Sequence, residues 1–127
     1  MIAVIFELEP KSEQRKAYFS IAEELKPFVE KIDGFLSIER FQSVQNPDKF
    51  LSLSFWRDEE AVTEWRNLFE HREAQKIGRT KIFQDYRIRV ADVVRDYGMT
   101  IREQAPEDSK ATSVNMPGST NNDDISH

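Results

Sequence analysis

No cysteine occurs among the 127 residues, which excludes a disulfide framework, thiolate metal sites and a cysteine nucleophile, and fits a reducing compartment. Histidine is almost as scarce. His71 and His127 are the two present, and neither has a second histidine or a carboxylate group at ligand spacing, so no zinc site is expected. The four glycines, Gly34, Gly78, Gly98 and Gly118, are scattered; no phosphate-binding loop or dinucleotide fingerprint can be assembled from them, and no Ser/His/Asp arrangement is evident. Long apolar runs are missing too. Ile2 to Phe6 is only five residues long, with Glu7 and Glu9 just after it, so neither a signal peptide nor a membrane span fits. A soluble, cytoplasmic protein is expected.

Charge of one sign is also thin in the part that should fold. The segment 103–127 holds five carboxylates against Lys110 and accounts for four of the five net negative charges, leaving the remainder near −1. No basic stripe is left to track a phosphate backbone, which argues against nucleic-acid binding. A core of about 100 residues buries roughly two-thirds of its unfolded surface, enough for one domain.

What is present is patterned. Ile2 to Leu8 reads as a central strand, apolar on both faces until Glu7. Ser12 is placed to cap a helix whose stripe runs through Tyr18, Ile21, Ala22, Leu25, Phe28, Val29 and Ile32, with a kink expected at Pro27 and a turn at Asp33-Gly34. Two strands follow, Phe35 to Val44 and Phe50 to Trp56, joined through Asn46-Pro47-Asp48. In the second, Leu51, Leu53 and Phe55 are expected to meet the helices, with Ser52, Ser54 and Trp56 on the other face. Asp58 caps a second helix with the stripe Ala61, Val62, Trp65, Leu68 and Phe69. Continuing its period brings Arg72 into the stripe, so a bend is expected near Glu70-His71, then a short helix with Ala74 and Ile77 inward that Gly78 ends. A last strand spans about Tyr86 to Arg95. The run from residue 101 to 127 lacks periodicity and aromatics and reads as a flexible acidic and polar tail to a domain of residues 1–100.

The order βαββαβ predicts an α+β, ferredoxin-like antiparallel sheet with both helices on one face. The other face, apolar in part, is then a docking surface for a second copy.

The stretch IDGFLSIERFQSVQNPDKFLSLSFW from Ile32 to Trp56, followed by DEEAVTEWRNLFEHREAQKIGR, resembles the antibiotic biosynthesis monooxygenase (ABM) family over roughly Met1 to Met99. The resemblance implies small domains that pair through their sheets into a dimeric α/β barrel. It also implies an apolar pocket between helices and sheet, and a cofactor-independent monooxygenase acting on a small aromatic, phenolic or quinol-like substrate. Trp65 matches a tryptophan that oxygenases and haem-degrading relatives carry on this helix. Those haem-degrading relatives place a histidine about three turns further on and an asparagine on the first strand, where this chain has about Gln75 and Phe6 or Glu7. Haem binding through His71 is therefore the alternative rather than the expectation, and a non-catalytic dimer holding a small ligand is another.

Each candidate has a plainer role beside the chemical one. Trp65 either shapes the pocket or is simply core. His71 is a base or proton donor, or else caps carbonyls and pairs with Glu70 or Glu73. Arg72 and Arg87 supply positive charge to stabilise an oxyanion, while the alternative for Arg72, Arg87 and Arg89 is ion pairing with Glu7, Glu39 or Asp92. Tyr86 and Tyr18 either donate hydrogen bonds to a ligand or place a ring in the core with the hydroxyl at its rim.

Overall fold

A computed structural model describes residues 1–76 and 82–109, with the side chains of 72–76 left aside. Four strands, β1 (Ile2–Pro10), β2 (Phe35–Gln42), β3 (Phe50–Trp56) and β4 (Phe83–Asp92), form one sheet in the order β2-β3-β1-β4. Every pairing is antiparallel. Helix α1 (Arg15–Val29) follows β1 and α2 (Glu59–Lys76) follows β3. Strand order and connectivity are those of the expected ferredoxin-like α+β fold.

Alternation along the strands decides what the helices meet. On β1, Ile2, Val4, Phe6 and Leu8 are buried in one core with Tyr18, Ile21, Leu25 and Val29 of α1 and Ala61, Val62 and Trp65 of α2. Their partners across β3 are Trp56, Ser54, Ser52 and Phe50. The face expected for β3 is therefore reversed: Leu51, Leu53 and Phe55 are only half-buried, in register with Glu7, Ile5 and Ala3 on the opposite side of the sheet. Steric demand explains the reversal. Trp56 is fully buried, packs edge-on against Phe35 at 5.4 Å and lies 6.4 Å from the Trp65 ring. Two serines beside it leave room for both indoles, and Ser54 Oγ accepts a 2.9 Å hydrogen bond from Trp56 Nε1, satisfying two buried polar groups at once.

Other details depart from the sequence reading. Ser12 does not cap α1; Ser12–Gln14 form a single 3₁₀ turn, and the helix begins after Gln14 with no side-chain cap. Pro27 is accommodated within the last turn of α1, where Phe28 points out and is exposed. Helix α2 runs without the expected break through His71 to Lys76, and β4 ends at Asp92, before Val94 and Arg95. Ile77 and Gly78 lie outside the described residues.

The chain divides into two compact units, the first Met1–Asp92, the second starting at Val93. Within the second, Arg102 donates to the Gly98 and Ser109 carbonyls at 2.9 and 3.2 Å and lies over the Tyr97 ring. Part of the expected tail, residues 101–109, is thus tied into turns, and residues 110–127 lie outside the described ones.

The Asp33-Gly34 turn is locked to the start of α2. Arg57 donates two hydrogen bonds to Asp33, at 3.0 and 3.1 Å, and one to Asp58 at 3.1 Å, while its backbone N–H reaches the Gly34 carbonyl at 2.7 Å. The expected cap is present: Asp58 Oδ1 accepts from the Ala61 N–H at 3.0 Å. That bond and the Arg57 hydrogen bond hold the Asp58 carboxyl below the usual range, and the Arg57 hydrogen bonds do the same for Asp33. Gly34 has φ +99°, and a Cβ there would come within 2.9 Å of the Ala61 Cβ. Gly34→Ala is expected to cost about 1–3 kcal/mol of unfolding free energy, read as a lower urea midpoint; an unchanged midpoint would show that the turn needs neither the left-handed backbone nor the close approach.

Candidate functional site: a cavity between the helices and the sheet

Serines at the middle of β3 leave space above the sheet that neither helix fills. A cavity of about 350 Å³ remains there, lined by Phe6 and Ser52 from β1 and β3, Tyr18, Ala22, Leu25, Lys26 and Val29 from α1, Ile38, Glu39 and Arg40 from β2, and Trp65 and Phe69 from α2. Its volume lies within the range of small-molecule sites. Trp65 unites the two roles open to it in the sequence. It is 6% exposed and part of the core, yet its ring forms cavity wall, stacked on Phe69 at 5.9 Å and edge-on to Phe6 at 6.4 Å.

Tyr18 also meets the cavity. Burial pushes its phenol up to about 12, against the opposing effect of the nearby Arg40 guanidinium. It therefore stays a protonated hydrogen-bond donor across any working pH. Tyr86 lies on the far side of the Phe6, Trp65 and Phe69 wall, in a crevice of about 20 Å³.

The remaining candidates are elsewhere. His71 is exposed on α2 and is not among the cavity residues. Arg87 is in register with Glu7 on the opposite face of the sheet. There Glu7 pairs with Arg89 at 3.1 Å, as the ion-pairing reading of the arginines holds, and with Lys49 at 3.3 Å. The Arg72 side chain lies outside the described residues. What the sequence reading passed over is Arg40. It sits opposite Ser52 on the helix side of β2, two residues after the inward Ile38, and a charged residue at an inward strand position was the available signal.

The family model described as antibiotic biosynthesis monooxygenase matches residues 1–77. The chain belongs to the antibiotic biosynthesis monooxygenase family. It is 44% identical over 93 residues to a Pyricularia oryzae protein named jasmonate monooxygenase ABM, covering 73% of this chain and 43% of that protein. The chain thus spans less than half the length of that relative. Over 94 residues it is 35% identical to the uncharacterized protein YqjZ of Bacillus subtilis, covering 73% of this chain and 79% of that one. Among solved structures, Rv0793 from Mycobacterium tuberculosis superposes with a TM-score of 0.65 at 17% identity, covering 76% of this chain and 98% of the other. That likeness extends the fold assignment alone.

Within this ABM domain the donor set of the cavity bears on cofactors. No histidine is among its described lining residues, so these offer no imidazole as an axial haem ligand. Among the described residues no group of three or more His, Cys, Asp or Glu side chains is placed to hold a metal ion. The chemistry these residues can perform is enclosure, orientation and the placing of fixed positive charge.

Proposed function

We propose that this ABM domain is a cofactor-independent monooxygenase that oxidises a small aromatic, phenolic or quinol-like molecule in the cavity between helices and sheet. One observation carries the reading: in a chain of this family, the tryptophan at the family's position is a wall of a cavity lined largely by aromatic and aliphatic side chains. The relative named as a jasmonate monooxygenase supports the reaction class. A substrate of this class supplies its own electrons. An activated CH₂ beside a phenol loses a proton, the carbanion adds dioxygen to form a C–O bond, and the resulting hydroperoxide loses water to leave a carbonyl. One oxygen atom enters the product and the other leaves as water. The cavity contributes an aromatic surface at Trp65 and a neutral donor at Tyr18; the substrate proton passes to solvent, and a proton returns from solvent to the peroxide anion to give the hydroperoxide.

The same reading includes a homodimer. Both helices pack on one face of the sheet, leaving Ile5, Leu51, Leu53 and Phe55 half-buried together on the other; a second copy covering that row would bury it. Sedimentation at micromolar concentration should give a dimer, and a monomer there would rule the pairing out.

Oxygen uptake with anthrone-like phenols, without flavin or metal, is expected to rise with pH as the substrate ionises. Burial of Tyr18 raises its phenol to about 12, so its own ionisation lies above such a rise. Trp65→Phe should cut kcat/KM by at least about tenfold while costing only about 1–2 kcal/mol of stability, and His71→Ala should change neither. Should a broad panel bind without oxygen uptake above background, the cavity is a non-catalytic ligand site.

A further inference from the structure

One end of the cavity differs from the rest. Most of the wall is aliphatic or aromatic, but where α1 meets β2 it is bounded by Lys26, Arg40 and Tyr18. Glu39 also borders the space, yet it is in register with Leu53 on the opposite sheet face, so strand alternation directs its carboxylate away. Two cations and a phenol therefore meet the cavity with no inward carboxylate among its described lining residues. Arg40 is held in place by its position opposite Ser52 and by the Phe19 ring, 5.9 Å from its guanidinium carbon. Its carboxylate contact among the described residues is one 3.2 Å hydrogen bond from Nη2 to Glu23, whose side chain is 68% exposed. A single exposed contact of this kind adds little stability and uses one donor of a fork built to hold two oxygens. Glu23 is a weak and replaceable occupant.

We propose that this end is an oxyanion subsite: the cavity takes a small apolar ligand bearing one oxyanion, carboxylate or phenolate, which Arg40 holds in place of Glu23 with Tyr18 donating beside it. The proposal rests on the reading that the cavity holds a ligand, and it names the class. Burial of Tyr18 adds to it, since a phenol kept protonated remains a donor to an anion. Arg40 is then a positioning residue that sets which end of the ligand enters first and so which carbon faces Trp65.

The volume of about 350 Å³, against about 150 Å³ for a cavity that accepts benzene, suits two-ring probes. Calorimetry at low ionic strength would compare 2-naphthoate with neutral 2-naphthalenemethanol, and 2-naphthol above and below its ionisation. The oxyanion should bind at least about tenfold more tightly than the alcohol. In Arg40→Met that preference should shrink to within about threefold while alcohol binding persists, and Arg40→Lys should keep part of it. Glu23→Gln, which removes the competing carboxylate, should tighten naphthoate about two- to fivefold; a merely structural ion pair predicts no gain. The 2-naphthol arm shows whether phenolate is held as carboxylate is. Equal binding of alcohol and both oxyanions, or a preference that survives Arg40→Met, overturns the subsite and leaves the cavity reading standing. Failure of every probe to bind removes both.

Discussion

The inner row of β3 is the constraint on which the rest depends. Phe50, Ser52, Ser54 and Trp56 face the helices, large at the ends and small in the middle. Trp56 fills one end and satisfies its indole N–H on Ser54. Over the two serines the helices cannot close on the sheet without bulk to meet them, and Trp65 approaches from α2 to form a wall rather than a plug. A close-packed interior tolerates few such voids, because unfilled space forfeits dispersion contacts. A concavity of about 350 Å³ lined largely by aromatic and aliphatic side chains, with a few polar groups, is the usual form of a small-molecule site.

The same register sorts the charged side chains. On β4, Arg87 and Arg89 fall on the face away from the helices, where Arg89 meets Glu7. On β2, Arg40 falls on the helix side. One arginine therefore stands at the cavity and two on the opposite face, although all three look alike in a list of basic residues. Distance from the apolar wall, not residue type, separates a group able to orient a ligand from one that braces strands.

Much of the architecture was legible in the sequence. The stripes of α1 and α2 at spacings of three and four marked their buried faces, Asp58 declared its cap, and Gly34 its turn, since each signal is local. Strand β3 was not legible in the same way. Its two rows are both compatible with burial, and choosing the greasier row, Leu51, Leu53 and Phe55, put the core on the wrong side; the deciding factor was the volume of Trp56 at the end of the strand and of Trp65 packed against it. The break expected near His71 failed for a related reason: a helix can extend past the end of its buried stripe once its first turns are anchored by packing. Trp65 and Tyr18, which border the cavity, stood out in the sequence because aromatic residues on helical stripes are conspicuous. Arg40 was not, because its significance comes from Ser52 across the strand pair and from α1 above it.

The direct test of the β3 register and the cavity it leaves is Ser52→Leu. If Ser52 faces the cavity, the variant should keep cooperative unfolding within about 1–3 kcal/mol of the parent and lose calorimetric binding of neutral 2-naphthalenemethanol, which the parent binds. A Ser52→Leu variant that binds this probe as the parent does would contradict the account, placing residue 52 on the other face of the sheet.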